Sequence, residues 1–423
     1  MVLKEQIIEN INNGEILEQL YRQNKKEFTK EFLSIADNYD TELVKFWKIR
    51  LEKHNTNQKE TDNKDILFII FISIITFLLV KLQSFFPNII DSSFYERYIG
   101  VIILNSLIVF SFWYNKIKDS KKILSYIGIL ILILIYVSVV PLNGTIYGGD
   151  SVKLALIHVP LLLWCIWGII FINFDIKNNI KRMEFIRFNG ELIILTGLIL
   201  ILGFILCLIT IALFQAINID ILFIITNFIA VLGIVAAPIV ANYLISQKPD
   251  VIKKVVPALA ELFTPLVLVM LIAYFIALLT SFKNIFDDRD LLMLMNIVLV
   301  LVVAIIIFAI SEIKKSDKKN FNLIMLLSMS TLSIIINVIA LIAIIIRLQD
   351  GFTPNRTIVL GTNILLLGNL VIIVKDLIKS YKNSDNLQKT ENNISKYFNV
   401  YFLWFSLVVF ILPLIFYYND FII

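Results

Sequence analysis

Long apolar stretches, about eleven in number, occupy this sequence from residue 66 onward and limit what the chain can fold into. A helix rises 1.5 Å per residue, so about twenty residues cross the ~30 Å hydrocarbon core of a membrane. Backbone amides in lipid must form their hydrogen bonds within their own segment, which favours helices. The alternating ~10-residue strands of a membrane barrel are not visible in this sequence. The pattern predicts an all-α fold, a polytopic transmembrane helical bundle. The predicted spans are 66–86, 98–115, 122–141, 153–173, 191–217, 220–246, 257–281, 291–311, 321–346, 358–378 and 398–418.

Composition supports lipid as the solvent for most of the chain. Of 423 residues, 58% are hydrophobic and 17% are charged, whereas a soluble domain carries about 25% charged residues. The two cysteines, Cys165 and Cys207, both lie in apolar stretches, which argues against a disulfide framework.

Basic residues are concentrated in every second connection between the predicted spans. By the positive-inside rule these connections are cytoplasmic, which predicts a cytoplasmic N-terminus and a C-terminus outside. The basic connections hold Lys116, Lys118, Lys121, Lys122, Lys177, Lys181, Arg182, Arg187, Lys248, Lys253, Lys254, Lys314, Lys315, Lys318, Lys319, Lys379, Lys382, Lys389 and Lys396. The opposite connections hold Arg97, Lys283, Arg289 and Arg356, with Lys153 and Arg347 at span edges.

The polar N-terminal part predicts a separate helical segment. Residues 1–62 are interpreted as a cytosolic amphipathic segment and residues 63–423 as the transmembrane domain. Apolar residues such as Ile7, Ile11, Phe28 and Trp47 recur at helical spacing. Two roles stay open: a cap on the membrane surface, or a docking module for a cytosolic protein. Its basic residues are matched by acidic ones, so no nucleic-acid partner is predicted.

The sequence lacks the motifs of several enzyme classes. It contains no phosphate-cradling glycine loop, no dinucleotide fingerprint and no metal-ligand cluster. Its two histidines, His54 and His158, exclude a histidine-rich metal site. We therefore predict no catalytic residue, no metal and no cofactor.

An ionisable residue at membrane depth is a candidate for function, because burying its charge in lipid is costly. Glu261 lies between Pro257 and Pro265 near the basic end of the seventh span. A proline removes a backbone hydrogen bond of a helix, and an interrupted helix exposes backbone groups to a solute. The sixth span has Pro238 and Asn242 in its cytoplasmic half and is expected to be interrupted by its proline, as the seventh is. Asn242 and Glu261 are expected at a similar depth. These residues form a site for a cation, proton or polar solute, or else Glu261 is a structural carboxylate that is bonded to a neighbouring residue.

Two further intramembrane positions have both structural and functional interpretations. Arg187 and Glu191 are four residues apart, so an interfacial ion pair on one helix is favoured over a solute site. His158, followed by Pro160, is interpreted as a satisfied interhelical histidine or as a proton-responsive group.

The non-basic side carries a second set of candidates. Asp288, Arg289 and Arg356 lie in connections that could close an external vestibule, or they could be ordinary loop and headgroup anchors. The Gly148-Gly149-Asp150 stretch on this side is expected to form a turn. Gly361 and Gly368 share one helical face and predict a close helix–helix contact.

Several short stretches in a fixed order suggest a family. They are Ile157-His-Val-Pro-Leu161, Arg187-Phe-Asn-Gly-Glu-Leu192, Ala237-Pro-Ile-Val-Ala241, Leu262-Phe-Thr-Pro-Leu-Val-Leu268, Asp288-Arg-Asp290 and Thr353-Pro-Asn-Arg356. In these the chain resembles a bacterial multipass family known as domain of unknown function 4153. The resemblance implies a bacterial inner (plasma) membrane location and no particular reaction. The Asp350-Gly351 pair departs from it, since an aromatic-glycine pair is expected there.

Three functions are compatible with these features. The leading hypothesis is a permease-like or channel-like protein with a polar site in the cytoplasmic half of the bundle, acting on a small polar solute or ion. The second is a membrane sensor or scaffold that docks a cytosolic protein through residues 1–62. The third is a membrane-embedded enzyme acting on lipid or an isoprenoid carrier, for which His158, Arg356 and the stretch from Asp287 to Asp290 form the one weak cluster. In every case membrane lipid is the surrounding partner.

Overall fold

A computed structural model describes residues 3–57, 63–142, 146–216, 220–247, 264–276, 279, 289–313, 320–382 and 386–419. These residues form helices joined by short turns, and they contain no β-strand. Ten of the described helices are long and apolar enough to cross a membrane. The all-α prediction is therefore confirmed. The chain divides into two compact units, one of Met1–Ile66 with Ser246–Pro249, and one of Leu67–Ile245 with Asp250–Ile423.

The N-terminal unit contains four helices around an aromatic core. They are α1 (Leu3–Glu9), α2 (Gly14–Gln23), α3 (Lys25–Ile35) and α4 (Glu42–Asn57). The Asn13 side chain accepts hydrogen bonds from two backbone amides of the first turn of α2, which fixes where that helix begins. Phe28, Phe32 and Trp47 are fully buried, and their rings pack within 6.0 Å of one another between centroids. The helical spacing of these residues thus forms a small core.

The second unit contains the apolar helices. They are α5 (Asn63–Phe85), α6 (Phe94–Tyr114), α7 (Ser120–Val139), α8 (Ile146–Phe171), α9 (Asn179–Ala216), α10 (Leu222–Gln247), α11 (Thr264–Ile276), α12 (Arg289–Glu312), α13 (Asn320–Leu348), α14 (Pro354–Lys382), α15 (Leu387–Ser406) and α16 (Leu412–Asn419). One π-helical turn lies within α10 at Ile225–Ile229, and another joins α15 to α16 at Leu407–Ile411.

The surface of this unit is apolar over whole helix lengths. On α9, for example, Leu202, Phe204 and Leu206 are each more than 60% exposed. Such rows of large side chains are stable only in a solvent that is itself apolar, because contact with water costs about 25 cal/mol per Å². The chain is therefore a multipass membrane protein.

Some helix boundaries differ from the predicted spans. Helix α9 begins at Asn179 and not at residue 191, and α15 begins at Leu387 and not at residue 398. In both cases polar helical turns precede the apolar stretch, which hydropathy alone cannot detect. Of the predicted span 257–281, the structure describes Thr264–Ile276 and one further residue.

Helix α10 continues through Pro238, and α8 continues through Pro160. The expected interruption of the sixth span at Pro238 is therefore wrong. A proline removes one amide donor, and packing of the surrounding helices can tolerate this loss in a membrane. Gly100 allows α6 to pack closely against Pro160 of α8, since a Cβ at Gly100 would lie 2.2 Å from Cγ of Pro160.

Two buried clusters hold the second unit together. One is centred on α6 and α8, with Phe110, Leu163 and Trp167 among its members. The other is formed by α12, α13 and α14, with Ile306 and Ile336 at its centre. Helices α12, α13 and α14 also carry buried polar side chains, Asn337 and Asn363 among them, within this apolar packing.

Candidate functional site

An ion-pair network joins three helices at one end of the second unit. Nε of Arg187, near the start of α9, lies 3.2 Å from a carboxylate oxygen of Glu312, the last residue of α12. Nη2 of the same guanidinium lies 3.9 Å from Glu391 near the start of α15. Glu312 is the most shielded member, with its side chain 10% exposed. We call Arg187, Glu312 and Glu391 the ion-pair network.

Arg187 also caps helix α12. Its Nε donates to the carbonyl of Ser311 at 2.9 Å, and its Nη2 donates to the same oxygen. The last carbonyls of a helix lack intrahelical donors and carry partial negative charge, so a cation is stabilising there. One guanidinium therefore connects a helix end and two carboxylates from three helices.

Beside this network, hydrogen bonds also connect the first turns of α15 to α14 and to α9. Nδ2 of Asn393 donates to the buried carboxylate of Asp376 in α14 at 2.6 Å. The hydroxyl oxygens of Ser380 and Thr390 lie 3.2 Å apart. The guanidinium of Arg182 in α9, also buried, donates to the carbonyl of Ser395 at 3.5 Å. The polar turns that begin α9 and α15 therefore have structural partners here.

Two buried amides face each other near the middle of the bundle. Nδ2 of Asn337 in α13 lies 3.5 Å from Oδ1 of Asn363 in α14, and both residues are at most 1% exposed. Oδ1 of Asn337 and Nδ2 of Asn363 have no hydrogen-bond partner among the described residues. Ser333 and Ser330 lie one and two turns before Asn337 on the same buried face of α13. The α13–α14 interface is thus polar at a depth where most interfaces are apolar.

A cavity with several polar lining residues lies at the opposite end of the same helices. It has a volume of about 220 Å³ and is lined by polar groups from four segments. We call it the Arg347/Arg356 cavity. Its lining comprises Asp150, Leu292, Met293, Asn296, Ile344, Arg347, Thr353, Asn355, Arg356 and Val359. Two guanidinium groups and one carboxylate around a small volume can bind an anionic group.

The first turn of α14 shapes this cavity. Thr353 precedes the helix, and its hydroxyl accepts the backbone N–H of Arg356 at 3.3 Å, as in an N-cap. Nη1 of Arg356 donates to the carbonyl of Gly351 at 2.8 Å. Gly351 has a φ of +110°, a conformation that side-chain-bearing residues rarely adopt, so a glycine suits this turn.

The structure brings some predicted site residues together and separates others. Arg187 lies in the ion-pair network, and Arg356 lines the cavity. Glu191 and Asn242 are buried, at 8% and 3% exposure. Glu261 and Asp288 lie outside the described residues, and of Arg289 only the helical backbone is described. Pro265 is the second residue of α11.

The remaining candidates have local partners. A ring nitrogen of His158, Nδ1, lies 2.7 Å from the carbonyl of Leu154 in its own helix, and its ring lies 6.2 Å from that of Phe405. His158 is not part of the Arg347/Arg356 cavity lining. The ion pairs of Arg187 with Glu312 and Glu391 connect it to other helices, so the favoured pairing with Glu191 is not its only means of neutralisation.

Sequence reasoning missed several residues that the structure assembles. Asp150 was expected in a turn, which is wrong, because α8 begins at Ile146 and includes it. Asn296 and Glu312 were passed over, although both are polar residues at the ends of an apolar stretch. Asp376 could have been found in the same way, as a carboxylate within the last turns of a predicted span. The close contact predicted at Gly361 and Gly368 is confirmed, since both lie against α15.

Among the described residues, no group of three histidine, cysteine, aspartate or glutamate side chains is arranged to hold a metal ion. The chain matches no protein-family model, no curated protein and no solved structure. Its function must therefore be inferred from its own geometry.

Proposed function

We propose that this protein is a permease-like membrane protein whose solute pathway follows helices α12, α13 and α14. One observation carries the proposal: all three helices line the Arg347/Arg356 cavity at one end, α13 and α14 hold the buried amides Asn337 and Asn363 in the middle, and α12 ends at Glu312 of the ion-pair network at the other end. Buried polar groups are costly in lipid, and those facing a bundle interior mark solute and ion pathways in membrane proteins.

The spacing of these groups matches the thickness of a membrane. Arg356 and Asp376 are twenty residues apart on α14, which is about 30 Å at 1.5 Å per residue. Asn363 lies seven residues after Arg356, about 10 Å deeper. Polar side chains at both boundaries and in the interior are what a stepwise path for a polar solute requires.

In this proposal the ion-pair network is the inner closure of the pathway. Arg187 links three helix ends through charged groups that are partly solvated, so the contact can open at modest cost. The lysine-rich connections favour the cytoplasm for this end by the positive-inside rule. We further propose a bacterial inner-membrane location and membership of the domain of unknown function 4153 family, supported by the ordered stretches of sequence that resemble that family.

Flux into proteoliposomes tests this function. Purified protein is reconstituted, and movement of protons, sodium, potassium, phosphate, acetate and amino acids is measured against empty liposomes. We expect transport of at least one solute, changed about tenfold or more by Arg187→Gln and by Glu312→Gln. Lys181→Gln is the matched control, because Lys181 lies on the same helix in an exposed pair with Asp175.

Two results would contradict the proposal. One is flux indistinguishable from empty liposomes for the whole panel. The other is transport that Arg187→Gln and Glu312→Gln leave at the Lys181→Gln rate. Arg187→Lys retains the charge and guards against loss of folding, and we expect it to keep part of the transport.

A docking role for the N-terminal unit is the second candidate. Phe46 and Ile49 of α4 are 59% and 66% exposed, on the face opposite the buried Val44, Trp47 and Leu51. This pair favours a cytosolic protein partner, since adjacent exposed apolar side chains often mark interaction sites. Co-purification with the full chain carrying Phe46→Asp and Ile49→Asp is the test, with Ser34→Asp as control. If the chain with Phe46→Asp and Ile49→Asp retains the same partners as the Ser34→Asp control, this face is excluded as the docking site.

A further inference from the structure

We infer that the Arg347/Arg356 cavity is a binding site for an oxyanion, the carboxylate or phosphate group of a small solute or of a lipid headgroup. This inference goes beyond the proposed function, because binding at this site requires no transport. It is carried by three features: the two guanidinium groups of the lining, the helix end that opens into it, and a shielded polar atom with no hydrogen-bond partner among the described residues.

The lining favours an anion. Among the described residues it holds two guanidinium groups, of Arg347 and Arg356, and one carboxylate, of Asp150. Arg356 also lies 3.8 Å from Asp350, but that carboxylate is 76% exposed and is not part of the lining. Such an exposed pair is weak because water screens it. The guanidinium of Arg356 gives one donor to Gly351, and a guanidinium has five.

The helix end adds a second attraction for an anion. Thr353, Asn355 and Arg356 are lining residues at the start of α14, a helix of 29 residues. Pro354, the first residue of this helix, has no N–H, and the N–H of Arg356 is already accepted by Thr353. The helix end therefore acts mainly through the partial positive charge that the macrodipole places there. Helix N-termini with adjacent arginines bind carboxylates and phosphates, because the guanidinium fork matches two oxygens of either group.

Asn296 indicates that the ligand also carries a hydrogen-bond donor. Its Oδ1 is shielded from solvent and has no hydrogen-bond partner among the described residues. Asn296 lies on α12, seven residues after the helix begins at Arg289, about 10 Å from that end. A hydroxyl or ammonium group of the ligand would satisfy this oxygen, while Asp150 would favour the same donor. Hydroxy acids, amino acids and glycerol-phosphate headgroups have this chemistry.

The volume sets an upper limit on the ligand. Pockets for drug-sized ligands occupy about 300–1,000 Å³, whereas this cavity measures about 220 Å³. A single headgroup or a small metabolite fits that space. A larger solute would have to leave part of itself outside the cavity.

Binding to the full chain in nanodiscs tests the inference in two arms. In the first, nanodiscs of phosphatidylcholine are dialysed against radiolabelled phosphate, acetate or glycine, with chloride as competitor. In the second, native mass spectrometry measures phosphatidylglycerol retained against phosphatidylcholine. We expect saturable binding in one arm, weakened tenfold or more by Arg347→Gln and by Arg356→Gln.

Lys153→Gln is the matched control, because Lys153 is an exposed cation three residues from Asp150 and outside the lining. Asn296→Leu changes no charge and is expected to weaken glycine or phosphatidylglycerol more than acetate, since acetate has no donor. Binding absent in both arms would overturn the inference. So would binding that Arg347→Gln, Arg356→Gln and Lys153→Gln weaken equally. Arg347→Lys and Arg356→Lys, which keep the charge, distinguish lost binding from lost folding.

A failed flux assay with intact oxyanion binding would overturn the permease proposal and leave this site standing. Solute flux together with no binding that depends on Arg347 and Arg356 would overturn the oxyanion site and leave the permease proposal standing. The two conclusions can therefore fail separately.

Discussion

Arg187 and Glu312 lie on helices that are distant in sequence, yet Nε of the arginine is 3.2 Å from the glutamate carboxylate. The same guanidinium holds the carbonyl end of α12 through Ser311. One side chain therefore performs two tasks, neutralising a shielded charge and capping a helix. This combination makes the network sensitive to single substitutions.

A double-mutant cycle measures the contribution of this pair. We expect Arg187→Gln and Glu312→Gln each to lower the free energy of unfolding, and the double variant to lose less than the sum. The coupling should be about 1 to 2 kcal/mol, below that of a fully buried pair because Arg187 is 36% exposed. Unfolding in mixed detergent–SDS micelles provides the measurement. Strictly additive losses would show that the two groups do not interact.

The packing of Gly361 against Trp404 predicts a steric effect. A Cβ at Gly361 would lie 1.9 Å from Cη2 of the Trp404 ring, so Gly361→Ala must displace that ring. We expect a loss of about 1–3 kcal/mol in the free energy of unfolding. Trp404→Leu should relieve the clash, so that Gly361→Ala costs less in that background. Gly203→Ala is the control, since nothing lies within 4 Å of its Cβ.

The buried amides of Asn337 and Asn363 predict how the free energy of unfolding differs between single and double variants. Asn337→Leu or Asn363→Leu alone leaves the remaining amide facing an apolar side chain, whereas changing both removes the polar atoms together. We expect each single variant to be less stable than the double variant. Interhelical hydrogen bonds in membranes contribute about 0.6 to 1.7 kcal/mol, which sets the expected coupling. A double variant less stable than both singles would contradict this account.

The Glu18–Arg50 pair gives the N-terminal unit a pH dependence. Nη1 of Arg50 lies 2.5 Å from Glu18, and this hydrogen bond lowers the pKa of that carboxyl below its ordinary value of 4.5. A lowered folded-state pKa contributes stability that is present above the unfolded value and is lost as the pH falls through the folded one.

The contribution should therefore be fully present at pH 7, and its loss should appear as the pH falls below 4.5. At neutral pH, Arg50→Ala should cost about 1 kcal/mol, because the pair is partly exposed and Arg50 also lies over the Trp47 ring. Hydrogen exchange of α2 and α4 in the full chain, corrected for intrinsic rates, measures both. Lys45→Ala removes the exposed pair with Asp40 and serves as control. Equal pH profiles for Arg50→Ala and the unaltered chain would contradict this cause.

The sequence by itself determines that this protein is a set of membrane helices. The length and apolarity of each stretch are local properties, and lipid leaves a long apolar segment no alternative to internal hydrogen bonding. Ten described spans accordingly coincide with predicted ones. The contact at Gly361 also followed from sequence, because two glycines on one face leave room for a neighbouring helix.

Only the tertiary structure decides which polar groups meet. The helical period shows that Arg187 and Glu191 share a face, but it does not identify Glu312 or Glu391 as neighbours. Asp150 and Arg347 likewise reach one cavity only because α8 begins where α13 ends. The rotation and order of helices in a bundle depend on side-chain packing summed over the whole interface, and no local stretch of sequence encodes that sum.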